Sequence, residues 1–165
     1  MHVRRTLRLD EIEAAYREHG ATFERVAIAV TRDEGRGCDA VQEAFARAVR
    51  GRRAFRTDAP LVAWLWRIVL NEARRQRSRV VEDELPEELE ASGTDDTTAV
   101  ELVRARIAEL PERQRLALFL RYYADLDYES IAQALDVKPG TVAATLHAAH
   151  RRLAVELQEV NEWTS

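Results

Sequence analysis

Cysteine is almost missing from this chain. Cys38 is the only one in 165 residues, so no intrachain disulfide can form and no thiolate-based zinc site can be assembled. A reducing cytoplasm suits such a sequence. Glycine and proline are also sparse, six and four, and no alternating β-branched run is long enough to demand a sheet. No apolar run approaches the roughly 20 residues that cross a bilayer. The basic stretch Met1–Leu9 lacks the apolar core of a secretory signal, so no membrane insertion is expected. No nucleophile–base pair and no metal-ligating cluster stands out, which argues against a hydrolase, and no metal or cofactor is expected. His147 and His150 do share the i, i+3 spacing of some metal ligands, but without a carboxylate or thiol partner.

What is present is alanine, arginine, glutamate and leucine in long stretches, with 46% hydrophobic residues. That composition predicts an all-α fold, and the length suffices for one medium domain or two small helical ones. The net charge of −4 conceals an asymmetry. Residues 1–79 carry 17 basic and 11 acidic side chains, residues 80–99 carry eight acidic and none basic, and residues 100–165 carry eight basic and ten acidic. A basic first domain (8–79) is therefore expected to join a nearly neutral second one (98–160) through an acidic linker (80–97).

In the first domain, Leu9, Ile12 and Tyr16, then Phe23, Val26, Ala27 and Val30, predict two amphipathic helices broken near Gly20. Gly35-Arg36-Gly37 reads as a turn, and Cys38 to Arg50 as a third helix with Val41, Ala44, Phe45 and Ala48 inward. Its opposite stripe, Asp39, Gln42 and Glu43, is either a solvated face or a polar docking surface. Gly51 to Pro60 reads as a loop with three arginines and one aromatic ring. Leu61 to about Ser78 forms a fourth helix, apolar first and basic after. Basic groups beside rings suit single-stranded DNA, because arginines displace counterions from phosphates and rings stack on unpaired bases. The alternative is a solvated basic face with Trp64 and Trp66 in or near the core.

The linker is acidic, contains Pro86 and Gly93, and lacks periodicity. Asp95 or Asp96 is placed to cap the next helix, where Val100, Val103 and Ile107 share a face. Leu110 to Leu153 predicts three short helices with a helix-turn-helix at their centre. Asp127 can cap a helix bearing Ile131, Ala132 and Leu135; Asp136 to Gly140 interrupts it; Pro139 suits the first position of the next helix. Val142, Leu146, Ala149 and Leu153 would pin that helix, projecting its N-terminal residues as a major-groove reader does. The last helix is expected to fray before Trp163.

Leu110-Pro111-Glu112-Arg113, Leu120-Arg121-Tyr122, Ser130-Ile131-Ala132 and Gly140-Thr141-Val142 resemble domain 4 of bacterial sigma factors of the extracytoplasmic-function (ECF) group. Asp39 to Phe45, and Trp64-Leu65 with Ile68 and Asn71, resemble their domain 2. The resemblance covers about Tyr16 to Leu153. It implies a non-enzymatic subunit that binds core RNA polymerase, with promoter DNA and an anti-sigma factor as further partners. It assigns polymerase binding to Asp39, Gln42 and Glu43, and recognition and opening of the minus-10 element to Arg52, Arg53, Phe55, Arg56, Asn71 and Arg74; Phe55 also suits the core. The connector of the family threads the basic RNA exit channel, which would attract this acidic linker.

The chain departs from the family where Arg75 replaces a common acidic residue, and again in the recognition helix. There Lys138, Thr141, Ala144, Thr145, His147 and Arg151 are the candidate DNA-facing residues, with Ala143 and Ala148 between them. An arginine fork distinguishes guanine, whereas alanine offers at most a methyl contact. Weak minus-35 readout is therefore expected, or a protein partner on this Ala-rich face. The alternative functions are a degenerate sigma-like interaction module and a stand-alone helix-turn-helix regulator.

Overall fold

The computed structural model describes residues 5–56, 59–83 and 99–163. Within them the chain forms seven α-helices and one short 3-10 turn, arranged as two helical lobes. The first lobe comprises α1 (Leu9–Thr31), α2 (Glu34–Gly51), the 3-10 turn Arg52–Ala54 and α3 (Leu61–Asp83). The second comprises α4 (Ala99–Glu109), α5 (Glu112–Tyr122), α6 (Tyr128–Leu135) and α7 (Pro139–Trp163). The expected all-α architecture is what forms; of the expected linker 80–97, residues 80–83 continue α3, and the rest, with Asp95 and Asp96, lies outside the described residues.

The first lobe departs from the sequence expectation at its glycines. Helix α1 is continuous through Gly20, because its buried stripe of Ile12, Ala15, Phe23, Val26 and Val30 keeps one helical period across it. Gly35 and Gly37 are not in a turn but in the opening turns of α2. Asp33 caps that helix, its Oδ1 accepting the Arg36 N–H at 2.7 Å. A Cβ on Gly37 would sit 2.5 Å from Ile28 Cγ1 and 2.7 Å from Ile28 Cα and N. Glycine is required there because α1 and α2 touch backbone to backbone.

Trp66 and Phe23, both buried, meet at 4.4 Å between centroids and form the centre of the lobe. Burying each such ring contributes about 1.5–3 kcal/mol. The N-terminal stretch closes the other end: Leu7 is buried, and its N–H donates to Arg52 O at 3.0 Å, while Arg5 N–H donates to Phe55 O at 3.2 Å.

In the second lobe α5, α6 and α7 pack as the expected helix-turn-helix. Asp127 caps α6, accepting Ser130 N–H at 2.8 Å, and Asp136 ends it in the left-handed region, φ 56°, a conformation that aspartate tolerates better than most residues. Pro139 opens α7. Val142, Leu146 and Ala149 are buried and Leu153 is half-buried. Helix α7 does not fray before Trp163 but runs to it. Val103 and Ile107 of α4 are half-buried, whereas Val100 is exposed. Helix α3 likewise extends beyond Ser78 to Asp83.

The lobes share one contiguous apolar cluster, running from Phe23 and Trp66 to Leu116, Ile131 and Val142. Helix α6 lies against α3. Among the described residues two ion pairs join the lobes: Arg67 to Asp136 at the end of α6, at 3.3 Å, and Arg74 to Glu112 at the start of α5, at 3.5 Å.

Candidate nucleic-acid and partner interface

The stripe on α2 is intact. Asp39 and Gln42 are exposed and Glu43 is half-buried. Glu43 Oε1 accepts from Arg50 Nη2 at 2.9 Å and lies 3.4 Å from Arg47 Nε. Arg47 Nε in turn lies 2.9 Å from Oε2 of Glu72, a carboxylate on α3 that is 3% exposed. These groups line a polar cleft of about 600 Å³ between α2 and α3, together with Gln76 and Arg79. A buried carboxylate needs a cation beside it; Arg47 supplies it and also engages Glu43. The stripe is thus held in place from beneath. Glu72 is not among the site residues expected from the sequence. Its signal was an acidic residue three positions after Val69, on the inward face of an otherwise apolar half-helix.

The arginine-rich segment divides. Arg53 and Asn71 are exposed. Arg56 is exposed and already engaged with a neighbour. Arg52 is half-buried, and its Nη1 donates to Val49 O at 2.9 Å, so part of its guanidinium serves the C-terminus of α2. Arg74 is half-buried and paired with Glu112. Phe55 must be corrected. Its ring is 3% exposed, packed with Leu7 and Ile12 and edge-on to Trp64 at 5.4 Å. It has no open face on which a base could stack; the N-terminal strap over the loop, which sequence periodicity does not reveal, buries it. Trp64 is half-buried at the edge of a cleft of about 380 Å³, where Arg56 and Arg67 of the first lobe face Gln133 and Asp136 of the second.

On α7, Ala144, His147 and Arg151 are exposed on one stripe, and Lys138 is exposed just before the helix. Thr141 and Thr145 are half-buried, and Thr145 Oγ1 donates to Thr141 O at 2.7 Å. That hydroxyl is occupied by its own helix. Ala143 and Ala148 are exposed, so the outward surface is largely methyl groups. His150 is turned to Tyr122 Oη at 2.9 Å. Among the described residues no group of three or more His, Cys, Asp or Glu could hold a metal, and no helix is long and apolar enough to cross a membrane.

Comparison with known proteins agrees with this arrangement lobe by lobe. Residues 15–80 match the family model "Sigma-70 region 2", and residues 101–164 match "Sigma-70, region 4". The chain is 32% identical over 139 residues to the ECF RNA polymerase sigma-E factor of Escherichia coli (strain K12), covering 73% of each protein. It is 31% identical over 163 residues to the ECF RNA polymerase sigma factor SigL of Mycobacterium tuberculosis (strain ATCC 25618 / H37Rv), covering 90% of each. The sigma factor RpoE solved with the anti-sigma factor NepR from Bartonella quintana has the same fold, with TM-score 0.71 at 22% identity, over 91% of this chain and 98% of that one. CnrH, solved with the cytosolic domain of CnrY, gives TM-score 0.69 at 22% identity, over 92% and 90%. Two lobes in the right order, each matching its own family model, and two relatives above 30% identity identify the chain: it belongs to the extracytoplasmic-function group of RNA polymerase sigma factors and acts in transcription initiation.

Proposed function

We propose that the first lobe, residues 8–79, grips core RNA polymerase through Asp39, Gln42 and Glu43 and opens the minus-10 element with Arg52, Arg53, Arg56, Asn71 and Arg74. The observation that carries this reading is the ion-paired base of the α2 stripe, Glu72–Arg47–Glu43. A polar surface already ordered loses little side-chain entropy on docking. The second lobe, residues 98–160, then reads the minus-35 region weakly, through phosphate contacts from Lys138 and Arg151, methyl contacts from Ala144, and Thr141, Thr145 and His147. The acidic linker 80–97 passes through the basic RNA exit channel, and the protein works in the cytoplasm without catalytic activity of its own.

Arg74 is held by Glu112, and the surface carrying Arg56 and Arg67 faces α6. Promoter opening therefore requires the second lobe to move off α3. Since RpoE was solved with the anti-sigma factor NepR, an anti-sigma factor that holds this chain idle is a fitting partner.

The test is run-off transcription with purified core polymerase on a promoter pool. Transcripts above core alone are expected. Their absence, with polymerase binding retained, would leave the interaction-module reading, which the exposed methyl surface of Ala143, Ala144 and Ala148 favours.

A further inference from the structure

Where α1 of the first lobe meets α4 and α5 of the second, a cleft of about 490 Å³ remains open. Val26, Ala29, Ile107 and Phe119 give it an apolar lining. Arg25, Arg32, Arg104 and Arg115 also line it, and among the described residues no carboxylate does. Among the described residues none of these four arginines has a carboxylate within salt-bridge distance, though Glu112 acts on Arg115 from further away. Arg115 is only 5% exposed. Its Nη1 donates to Ala108 O at 2.9 Å and Leu110 O at 3.4 Å, at the end of α4, while its Nε has no partner. A buried cation satisfied only by carbonyls is costly unless an anion completes its shell. Burial, with Arg32 and Arg77 nearby, pushes its pKa down.

We propose that this cleft binds a small anionic amphiphile, a medium-chain carboxylate whose head meets Arg115 and Arg32 and whose chain lies on Val26, Ile107 and Phe119. Charge complementarity fixes the sign of the ligand, and the apolar lining requires a hydrocarbon body. Guanidinium and carboxylate match as a two-pronged pair. The volume of the cleft lies within the range of small-ligand sites, about 300–1,000 Å³. Because the lining comes from both lobes, the bound ligand would also tie them together.

The experiment is isothermal titration calorimetry of the full chain with dodecanoate below its micellar concentration, beside dodecanol and dodecyltrimethylammonium. One dodecanoate per chain is expected, bound at least tenfold more tightly than either control. Arg32→Asn with Arg104→Gln should weaken it at least tenfold; asparagine suits the left-handed backbone at position 32, φ 58°. Ala29→Trp should abolish binding by filling the cleft. Should that variant fail to fold, as judged by circular dichroism, the arginine variant decides. Absence of binding, equal binding of dodecanol or the cation, indifference to the arginine variant or to a folded Ala29→Trp variant, or binding only to anionic phospholipid vesicles or to an acidic amphipathic peptide would each overturn the proposal.

Discussion

Glycine at position 37 and glutamate at position 72 are the two side-chain choices on which the first lobe depends most sharply. A methyl at Gly37 would have to displace the backbone of Ile28, since the clash is with Cα and N as well as a side-chain carbon. Overpacking of this kind costs about 1–3 kcal/mol. Gly37→Ala is therefore expected to lower the urea midpoint clearly. Gly51→Ala, where a Cβ meets nothing within 4 Å, should stay within about 0.5 kcal/mol of the parent. An equal gain in both would mean that the higher helix propensity of alanine, not the close approach, governs position 37. Glu72→Gln keeps the volume and removes the charge. Leaving a buried polar partner unsatisfied costs about 1–3 kcal/mol, and the lower end is expected because the Arg47 side chain is 40% exposed. The more telling readout is affinity for core polymerase, which should fall even where the fold survives. Unchanged polymerase affinity in a folded Glu72→Gln variant would show that the stripe does not need its buried support.

Element by element, the helix-turn-helix rests on its caps. The Asp127 carboxyl is held below the ordinary aspartate range, first by the Ser130 backbone N–H and then by the Ser130 hydroxyl. A depressed carboxylate contributes stability that is present above the unfolded value of about 3.9 and is lost as pH falls through the lower folded value. Asp127→Ala should cost about 1 kcal/mol at neutral pH. Asp127→Asn should cost little and flatten the acid limb of the stability profile; an acid limb as steep as the parent's would assign that limb to other groups. These caps were legible in the sequence because they are local: a side chain and a backbone N–H three residues apart. So were the buried positions of α7, fixed by a single period from Val142 to Ala149. The helical state of Gly20 and of Gly35-Arg36-Gly37 was not legible, for the complementary reason. Glycine signals permissiveness, and whether it ends a helix or lets two helices touch depends on Ile28, which is distant along the period. Phe55 was misplaced because the strap at Leu7 that buries it carries no periodic signal. Glu72 and Arg115 escaped because a charged residue at an inward position is recognisable only once its partner's element is known.

For the whole molecule, the consequential feature is that part of the surface proposed to meet DNA faces the second lobe: Arg56 lies across a cleft from α6, and Arg74 is held by Glu112 of α5. The contact between the lobes combines apolar packing of α6 with the Arg67–Asp136 and Arg74–Glu112 pairs. Both pairs are partly exposed, and exposed pairs contribute about 0.2–1 kcal/mol each. Removing the two carboxylates should then shift the balance between covered and uncovered forms by roughly two- to thirtyfold, if the pairs act together. Asp136→Asn is the suitable change, because asparagine accepts the positive φ of 56° at that turn. Glu112→Gln keeps the first turn of α5. With donor and acceptor dyes on α2 and α7, the double variant should show a larger population of separated lobes than the parent. Raising salt should move the parent in the same direction, since exposed charges separated by solvent are screened within about 10 Å at 0.1 M. DNA binding supplies the opposing control: salt weakens phosphate contacts, so the double variant at low salt, and not the parent at high salt, should bind a forked minus-10 duplex most tightly. If the lobes separate in the variant while its affinity for forked DNA stays at the parental level, the second lobe faces a surface that DNA does not use.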